Sequence, residues 1–210
     1  MKRFTFLLAA ACIAASVSAA TYVVDGLKSV DDSVLFQSTA KLEFIQGATN
    51  AISGNLQFDP AHTADSMSGM LQVDLRTLKT GIEMRDEHMR TRHLQTDQFP
   101  YAYFELTSVS GLPEKLVAGV ACTCSAEGYF YIHGVKHQIT PTVEIVDNST
   151  TEPRSVHVRA RFSLKLDDWK IPRPKALFLK LAETINVEVR FTATVGKAAP
   201  AISLPNWQDN

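Results

Sequence analysis

Two stretches in the second half of this chain alternate apolar and polar residues without interruption. One runs from Ser155 to Asp167 and the other from Ile185 to Val195. Their apolar members are Val156, Val158, Ala160, Phe162, Leu164 and Leu166 in the first stretch, and Ile185, Val187, Val189, Phe191, Ala193 and Val195 in the second. A strict period of two gives a strand one apolar face and one polar face, which is typical of antiparallel sheet. The chain is therefore predicted to fold as antiparallel strands, each with one buried face.

Further strand candidates extend this pattern over most of the chain. Leu71, Val73 and Leu75 alternate with polar residues, and less regular candidates lie between residues 34 and 146, separated by Gly, Pro and Asn. The total is about eight or nine strands in a single domain. Such strands can pack as two sheets in a sandwich or close into one barrel, and the period alone favours neither. A short helix is also predicted around 83–96, and a helical turn around 174–182 that begins at a proline.

The amino-terminal residues have the features of a signal peptide. Lys2 and Arg3 supply a positive start, the stretch 4–17 is mostly apolar, and small residues lead up to Ala19 and Ala20. A signal peptidase recognises this pattern, so cleavage is expected near Ala19 or Ala20. The predicted organisation is a signal peptide at 1–20, one folded domain at 21–196 and a flexible carboxyl-terminal tail at 197–210.

The mature protein is then expected to be periplasmic or secreted. Stable membrane insertion is not expected, because the apolar run falls short of the ~20 residues that span a bilayer. A retained membrane anchor and lipid attachment at Cys12 are the two alternatives to cleavage.

The charge balance gives no sign of a nucleic-acid partner. The chain has 21 Lys and Arg against 22 Asp and Glu, a formal net charge of −1. Proteins that bind nucleic acid usually carry a strongly basic face, so no such partner is predicted. A hydrophobic content of 45% is ordinary for a globular domain.

Charged and histidine side chains are concentrated between residues 80 and 93. A metal site there would need Asp86, His88 and His93 to converge. On a helix, residues five apart diverge by about 140°, whereas metal-binding histidines favour spacings of three or four. We therefore interpret the segment as a surface helix with a structural role, and a catalytic or metal site is the alternative.

Cys122 and Cys124 share one face of a predicted strand. Their Cα atoms are then about 6.5–7 Å apart, at the edge of the range that a disulfide can bridge. Packing in the core is the favoured interpretation, and a metal or redox pair is the alternative. The sequence contains no nucleophile elbow, phosphate-binding loop or dinucleotide fingerprint, so no enzymatic activity is predicted.

A series of short motifs in the middle of the chain points to a family. The motifs, in order, are Leu71-Gln72-Val73-Asp74-Leu75, Thr80-Gly81, Arg85-Asp86-x-His88-Met89-Arg90, Phe99-Pro100-x-Ala102-x-Phe104 and His133-Gly134-Val135-Lys136. In this combination the chain resembles the YceI-like family from about Thr21 to Val195. The resemblance implies a single lipocalin-like antiparallel β-barrel, exported from bacteria, that encloses a long apolar amphiphile such as a polyisoprenoid or an isoprenoid quinone. It implies no other cofactor, and it implies a structural role for the motif residues Thr80, Gly81, Arg85, Asp86, His88, Arg90, Pro100 and Gly134.

In a closed barrel, the apolar faces of the strands surround an internal cavity wide enough for a small ligand. The strands then predict the lipid-contacting residues Phe36, Leu71, Val73, Phe104, Val156, Val158, Phe162, Val187 and Val189, with Leu177 and Phe178 near the mouth. The predicted function is that of an exported, non-enzymatic protein that carries or sequesters an apolar lipid. The alternatives are a periplasmic stress-response or interaction module with a filled barrel, and a metal or redox protein that uses Cys122 and Cys124.

Overall fold

Antiparallel strands make up most of the described chain, which in this computed structural model comprises residues 19–29, 31–39, 44–63, 67–173, 175–176, 179–180 and 182–205. The strands are β1 (Ala20–Asp25), β2 (Ser33–Thr39), β3 (Phe44–Thr49), β4 (Ile52–Phe58), β5 (Ser68–Asp74), β6 (Tyr101–Ser110), β7 (Ala121–Ile132), β8 (Val135–Ile139), β9 (Thr142–Asp147), β10 (Ser155–Lys165), β11 (Lys175–Ala176), β12 (Leu179–Lys180) and β13 (Thr184–Val195). A short helix, α1 (Glu83–His88), continues into a π-helical turn at Met89–His93, and 3-10 turns lie at Gly26–Lys28, Leu75–Thr77 and Leu166–Trp169.

The two alternating stretches of the sequence pair along their whole length as β10 and β13. Their antiparallel register places Val158 opposite Phe191 and Phe162 opposite Val187. Since residues two apart share a face of a strand, this register brings the apolar sides of both strands together on one side of the sheet.

The outer, polar side of this strand pair carries a charged cluster around Glu188. Its carboxylate accepts hydrogen bonds from Nε of Arg161 (2.8 Å), Nε of Arg190 (2.7 Å) and both Nε and Nη2 of Arg159. Burial raises the pKa of Glu188, but the three hydrogen-bonded guanidinium groups outweigh it and hold the pKa at about 2. The cluster therefore stabilises the β10–β13 pair at neutral pH.

The sheet closes on itself as a barrel. Its strand order is β1-β4-β5-β6-β7-β9-β10-β13, and β13 returns to β1 with Tyr22 opposite Val195. Within the described chain this is a closed antiparallel barrel of 8 strands, which confirms the predicted fold class. The β2–β3 hairpin extends one wall, because β2 pairs with β13 at Asn186–Arg190, a part of β13 that β1 does not reach.

Side chains fill one end of the barrel, which we call the closed end. Tyr22, Val24 and Val156 are 0–1% exposed there and pack with Leu116 from the β6–β7 connection. The Leu116 amide donates to the carbonyl of Pro60 (2.9 Å), so this connection is tied to the loop that follows β4.

Helical segments and a tight hairpin surround the opposite end, which we call the mouth. The β7–β8 turn consists of His133 and Gly134, whose φ angles of 53° and 76° are both positive. A two-residue turn of this kind matches the twist of the flanking strands, and glycine adopts it without strain. Nδ1 of His133 donates to the carbonyl of Trp169 (3.2 Å), which holds the turn against the 3-10 turn at Leu166–Trp169.

Two local predictions differ from the structure. The helix expected around 83–96 is shorter, because α1 and its π-helical turn end at His93. The helical turn expected around 174–182 is wrong, since β11 and β12 pair there as a two-stranded hairpin. No N-capping side chain precedes this segment in the sequence, and strand pairing satisfies backbone groups that a helix would otherwise satisfy.

The two ends of the chain were predicted to be a signal peptide and a flexible tail. Residues 1–18 of the segment predicted as the signal peptide lie outside the described residues. In the tail, Ala199 exchanges two backbone hydrogen bonds with the side chain of Asn55 (2.8 and 3.2 Å), so the tail is attached to β4 at this point. Among the described residues, none of the helices combines the length and the apolar character needed to cross a membrane.

Candidate ligand-binding cavity

A cavity of about 600 Å³ lies inside the barrel, between the packed closed end and the mouth. Inward side chains of the strands form its apolar walls, among them Phe36, Val73, Phe104, Phe130, Phe162, Val187 and Val189. Ligand pockets typically measure about 300–1,000 Å³, and an engineered apolar cavity of about 150 Å³ already takes up benzene. The barrel therefore has room for an extended apolar ligand.

Partial burial of the wall residues shows that the barrel is hollow at this level. Phe36, Phe130, Phe162 and Val187 pack against the core around the cavity, yet each is only partly buried. In a barrel filled by its own side chains, inward residues of this size would be fully buried, because protein interiors are close-packed. The filled barrel considered from the sequence is therefore not the arrangement found.

Two glycines accommodate aromatic rings of the cavity wall. Gly47 lies opposite Phe36 in the β2–β3 register, and a Cβ at Gly47 would overlap the Phe36 ring. A Cβ at Gly128 would come within 2.7–2.9 Å of the Phe104 ring. Because glycine has no side chain, each ring lies against the backbone of the neighbouring strand, and the space inside the barrel stays open.

A second, smaller cavity of about 90 Å³ lies towards the closed end. Leu71, Phe104 and Phe191, together with Pro141 and Ala160, line both cavities and so form the partition between them. Cys124 and Val158 belong to the wall of the smaller cavity. The apolar interior therefore continues past the partition for a short distance.

Most of the residues predicted to contact a lipid line one of these two cavities. Phe36, Val73, Phe162, Val187 and Val189 line the large cavity, Val158 lines the small one, and Leu71 and Phe104 line both. Val156 lines neither, because its part of β10 reaches the packed closed end, where it is fully buried. Leu177 and Phe178 lie outside the described residues.

Residues 80–94, which we call the mouth segment, border the opening of the large cavity. Met89 and Leu94 of this segment pack against the core. Ile82 and Met84 also line the cavity, but they are 54% and 69% exposed. These two side chains provide an apolar path between the solvent and the interior.

Asp86 holds the mouth segment in its conformation. Its carboxylate accepts hydrogen bonds from the backbone amide (2.7 Å) and the hydroxyl of Thr80, and Nε of Arg85 donates to the same hydroxyl oxygen (2.8 Å). Burial raises the pKa of Asp86, but the hydrogen bonds from Thr80 and the positive charges of Arg90 and Arg85 outweigh it, so the pKa lies below its ordinary value. Gly81, with a φ of 87°, makes the turn between Thr80 and α1.

Two other motif residues, which lie next to strand ends, support the mouth. The carbonyl of Pro100 accepts a hydrogen bond from the Leu75 amide (2.9 Å), which joins the start of β6 to the 3-10 turn after β5. Gly134 lies against the ring of Phe99, where a Cβ would come within 2.8 Å of the ring.

The charged side chains of the cavity lining all come from the mouth segment. Within the described lining they are Arg85 and Arg92, accompanied by His88 and His93, and no Asp or Glu lies among them. Nδ1 of His93 donates to the carbonyl of Pro172 (2.8 Å). Burial lowers the pKa of His93, the hydrogen bond to Pro172 opposes this effect, and the nearby His88 and Arg92 add to the lowering.

Cys122 and Cys124 are free thiols on the inner side of β7. Burial, and secondarily the neighbouring Cys122, raises the pKa of Cys124 to about 11. Since the thiolate is the reactive and metal-binding form, Cys124 is inert at neutral pH. Among the described residues, no group of three or more His, Cys, Asp or Glu side chains is placed to hold a metal ion.

The lining of the large cavity also includes many residues outside the set predicted from the sequence, and two groups of them show why they were missed. Phe130 and Ile132 line it from β7, but aromatic residues occupy both faces of that strand, so its alternation does not show which face is inside. The lining role of Arg92 and His93 was also missed, because their segment has the composition of a solvated helix. The apolar residues Ile82 and Met89, spaced seven apart in this charged segment, are the signal that points to an inward face.

Solved structures of proteins from three bacteria share this fold. BcnA from Burkholderia cenocepacia is 17% identical with a TM-score of 0.64, and the match covers 81% of this chain and 99% of BcnA. A polyisoprenoid binding domain from Saccharophagus degradans, implicated in plant cell wall breakdown, is 17% identical with a TM-score of 0.64, over 85% of this chain and 99% of that domain. The YCEI protein from Campylobacter jejuni is 16% identical with a TM-score of 0.60, over 75% of this chain and 88% of that protein.

At these identities the likeness to solved structures establishes the fold alone. Among curated proteins, none matches this chain at a significant level. The family model of the YceI-like domain, however, matches residues 22–193, which covers the closed barrel apart from the first two residues of β1 and the last two of β13. This chain therefore belongs to the YceI-like domain family.

Proposed function

We propose that this protein encloses a long apolar amphiphile, such as a polyisoprenoid or an isoprenoid quinone, and carries or sequesters it outside the cytoplasm. The observation that carries the proposal is the cavity of about 600 Å³ with its apolar walls. The solved domain from Saccharophagus degradans that shares the fold is described as polyisoprenoid-binding, which supports the same class of ligand. The signal-peptide features of residues 1–20 support the location.

Burial of the ligand's chain supplies the binding free energy. Each methylene removed from water contributes about 0.8 kcal/mol, so ten enclosed methylenes contribute roughly 8 kcal/mol before the cost of association. Beyond the mouth segment, the described lining contains no charged side chain. The length and apolar character of the chain therefore dominate affinity.

The mouth has the properties that transfer of a lipid requires. Ile82 and Met84 are exposed to solvent and also line the cavity, so they offer an apolar surface to a chain that leaves or enters. Beside the charged side chains of the opening, these two residues give the chain an apolar contact that reduces its exposure to water on the way. This feature supports a carrier that exchanges its ligand.

Native mass spectrometry of the purified protein, followed by organic extraction and lipid identification, tests the proposal. We expect a bound mass that matches the extracted amphiphile. Val187→Trp adds bulk to the cavity without charge and should reduce the bound lipid severalfold. Val120→Trp is the matched control, because Val120 is 50% exposed outside the cavity, and it should keep the full amount.

The proposal fails if the purified protein carries no extractable lipid and also takes up no added farnesol. It also fails if a folded Val187→Trp variant retains the wild-type amount of the same long-chain lipid. Circular dichroism of both variants establishes that they are folded.

A further inference from the structure

The interior of the cavity and its mouth differ sharply in chemistry. The strand walls contribute apolar side chains, whereas Arg85, His88, Arg92 and His93 line the opening. An amphiphile whose chain lies inside the barrel therefore has its head group among these four side chains.

Two of the four side chains have no partner in the described protein. Among the described residues, none forms a hydrogen bond or an ion pair with the side chain of Arg92 or that of His88. Arg85, by contrast, donates to Thr80, and His93 donates to the carbonyl of Pro172. Arg92 and His88 are therefore the donors available to a ligand.

Among the described residues that line the cavity, none is an Asp or a Glu. Asp86, the buried acid of the mouth segment, is not part of the described lining, and its hydrogen bonds go to Thr80. Glu83 and Glu87 are exposed and also outside the lining. Arg92 is exposed, so water solvates its guanidinium beside a neutral head group, whereas an anionic head group would receive charge-assisted hydrogen bonds from it.

We infer that the amphiphile carries an anionic head group, of the phosphate or carboxylate class, bound by Arg92 and His88. The inference rests on the proposed function, since it concerns the same cavity. The apolar chain then lies in the barrel and the charged head group lies at the mouth. An inorganic anion without a chain should therefore not bind to the protein.

Competition with the neutral fluorescent probe N-phenyl-1-naphthylamine tests the assignment. Farnesyl monophosphate and farnesol have the same chain and differ only in head group. We expect farnesyl monophosphate to displace the probe at about tenfold lower concentration than farnesol, because charge-assisted hydrogen bonds are roughly twice as strong as neutral ones. Inorganic phosphate alone should not displace it.

Substitutions of single charged residues show where on the protein the head group binds. Arg92→Gln should weaken farnesyl monophosphate about tenfold and leave farnesol unchanged, since only the charged head group loses a partner. Lys115→Gln removes the same charge next to Leu116 at the closed end and should change neither. In the wild-type protein, the ratio of the concentrations at which the two ligands displace the probe tests the assignment without any variant.

Each contrary result has its own meaning. Equal displacement by farnesol and farnesyl monophosphate overturns the anionic head group and leaves the proposed function standing. Displacement by neither ligand overturns the anionic head group, and together with the absence of extractable lipid it overturns the proposed function as well. Equal weakening of both ligands by Arg92→Gln, or displacement by inorganic phosphate alone, overturns the role assigned to Arg92.

Discussion

Single glycines decide how much of the barrel's interior is empty. Gly47 faces Phe36 across the β2–β3 pair, and Gly128 lies beneath the ring of Phe104. Neither position needs glycine for its backbone angles, since neither is among the residues with positive φ. Glycine at these two positions gives the aromatic rings a place against the wall, and so it preserves the cavity.

Gly47→Val should therefore close part of the cavity. A side chain at position 47 would collide with the Phe36 ring and with Thr80 (3.0 Å), so the ring has to move towards the interior. Overpacking of this kind typically costs about 1–3 kcal/mol. We expect a lower melting temperature and severalfold less bound lipid, measured by thermal unfolding and quantitative extraction.

Gly196→Ala provides the control for this substitution. A Cβ there would lie 3.5 Å from Val23, which is ordinary van der Waals contact, so stability and lipid content should stay at the wild-type level. A Gly47→Val protein with the full lipid content would show that the Phe36 ring does not move inward.

The mouth segment is the element that joins the fold to the proposed function. One side of it carries Asp86, whose hydrogen bonds hold Thr80, and the other side presents Ile82, Met84 and Arg92 to the cavity. A short helix of this length is not stable by itself in water. Its position therefore depends on the buried hydrogen bonds of Asp86 and on the packing of the segment against the core.

Asp86→Ala should destabilise the protein without abolishing ligand binding at low temperature. Loss of the carboxylate leaves the amide and hydroxyl of Thr80 unpaired, which costs about 1–3 kcal/mol. The folded-state pKa of Asp86 is lowered, so its contribution is fully present above the ordinary value near ~3.9 and is lost as pH falls through the folded-state pKa. Urea unfolding at neutral and at acidic pH should show a gap between wild type and variant that narrows in acid.

Glu87→Ala is the control, because Glu87 is the exposed acidic neighbour of Asp86. We expect it to change the free energy of unfolding by less than about 0.5 kcal/mol. If Asp86→Ala left stability unchanged but abolished lipid binding, Asp86 would act on the ligand and not on the conformation of the mouth segment.

At the scale of the whole barrel, the described residues form one packed end and one end that opens to solvent. Tyr22, Val24 and Leu116 fill the closed end, while the described wall residues near the mouth leave space between them. Leu71, Phe104 and Phe191 separate that space from the smaller cavity of about 90 Å³. This partition sets how deep the end of an apolar chain can reach.

Phe104→Ala should join the two cavities and change the chain length that the protein selects. Removal of a large apolar side chain costs roughly 2–4 kcal/mol at a partly buried site, so the barrel should remain folded. Offered a mixture of polyprenols of graded length, the variant should retain longer chains than wild type, as measured by mass spectrometry of the extract. Phe36→Ala, which enlarges only the large cavity, should not extend the preferred length in the same way.

The sequence by itself was sufficient for the antiparallel strands and the family. The unbroken alternation of β10 and β13 requires one buried face, and the order of short motifs from Thr80 to Gly134 identified the barrel that the structure confirms. The β7–β8 turn was also predictable, because a glycine between two strand candidates favours a tight hairpin.

Only the tertiary structure decided which inward residues surround empty space. Val156 and Val187 occupy equivalent positions in the alternation of their strands, yet Val156 is packed at the closed end and Val187 lines the cavity. The difference arises because Leu116, from a connection distant in the sequence, packs into the closed end only. Likewise, the charged composition around Arg92 is typical of a solvated helix. Arg92 lines the cavity because the mouth segment packs at the opening of the barrel. A period of two specifies which side of a strand faces inward, but the distance between opposite walls depends on barrel closure and on segments far apart in the sequence.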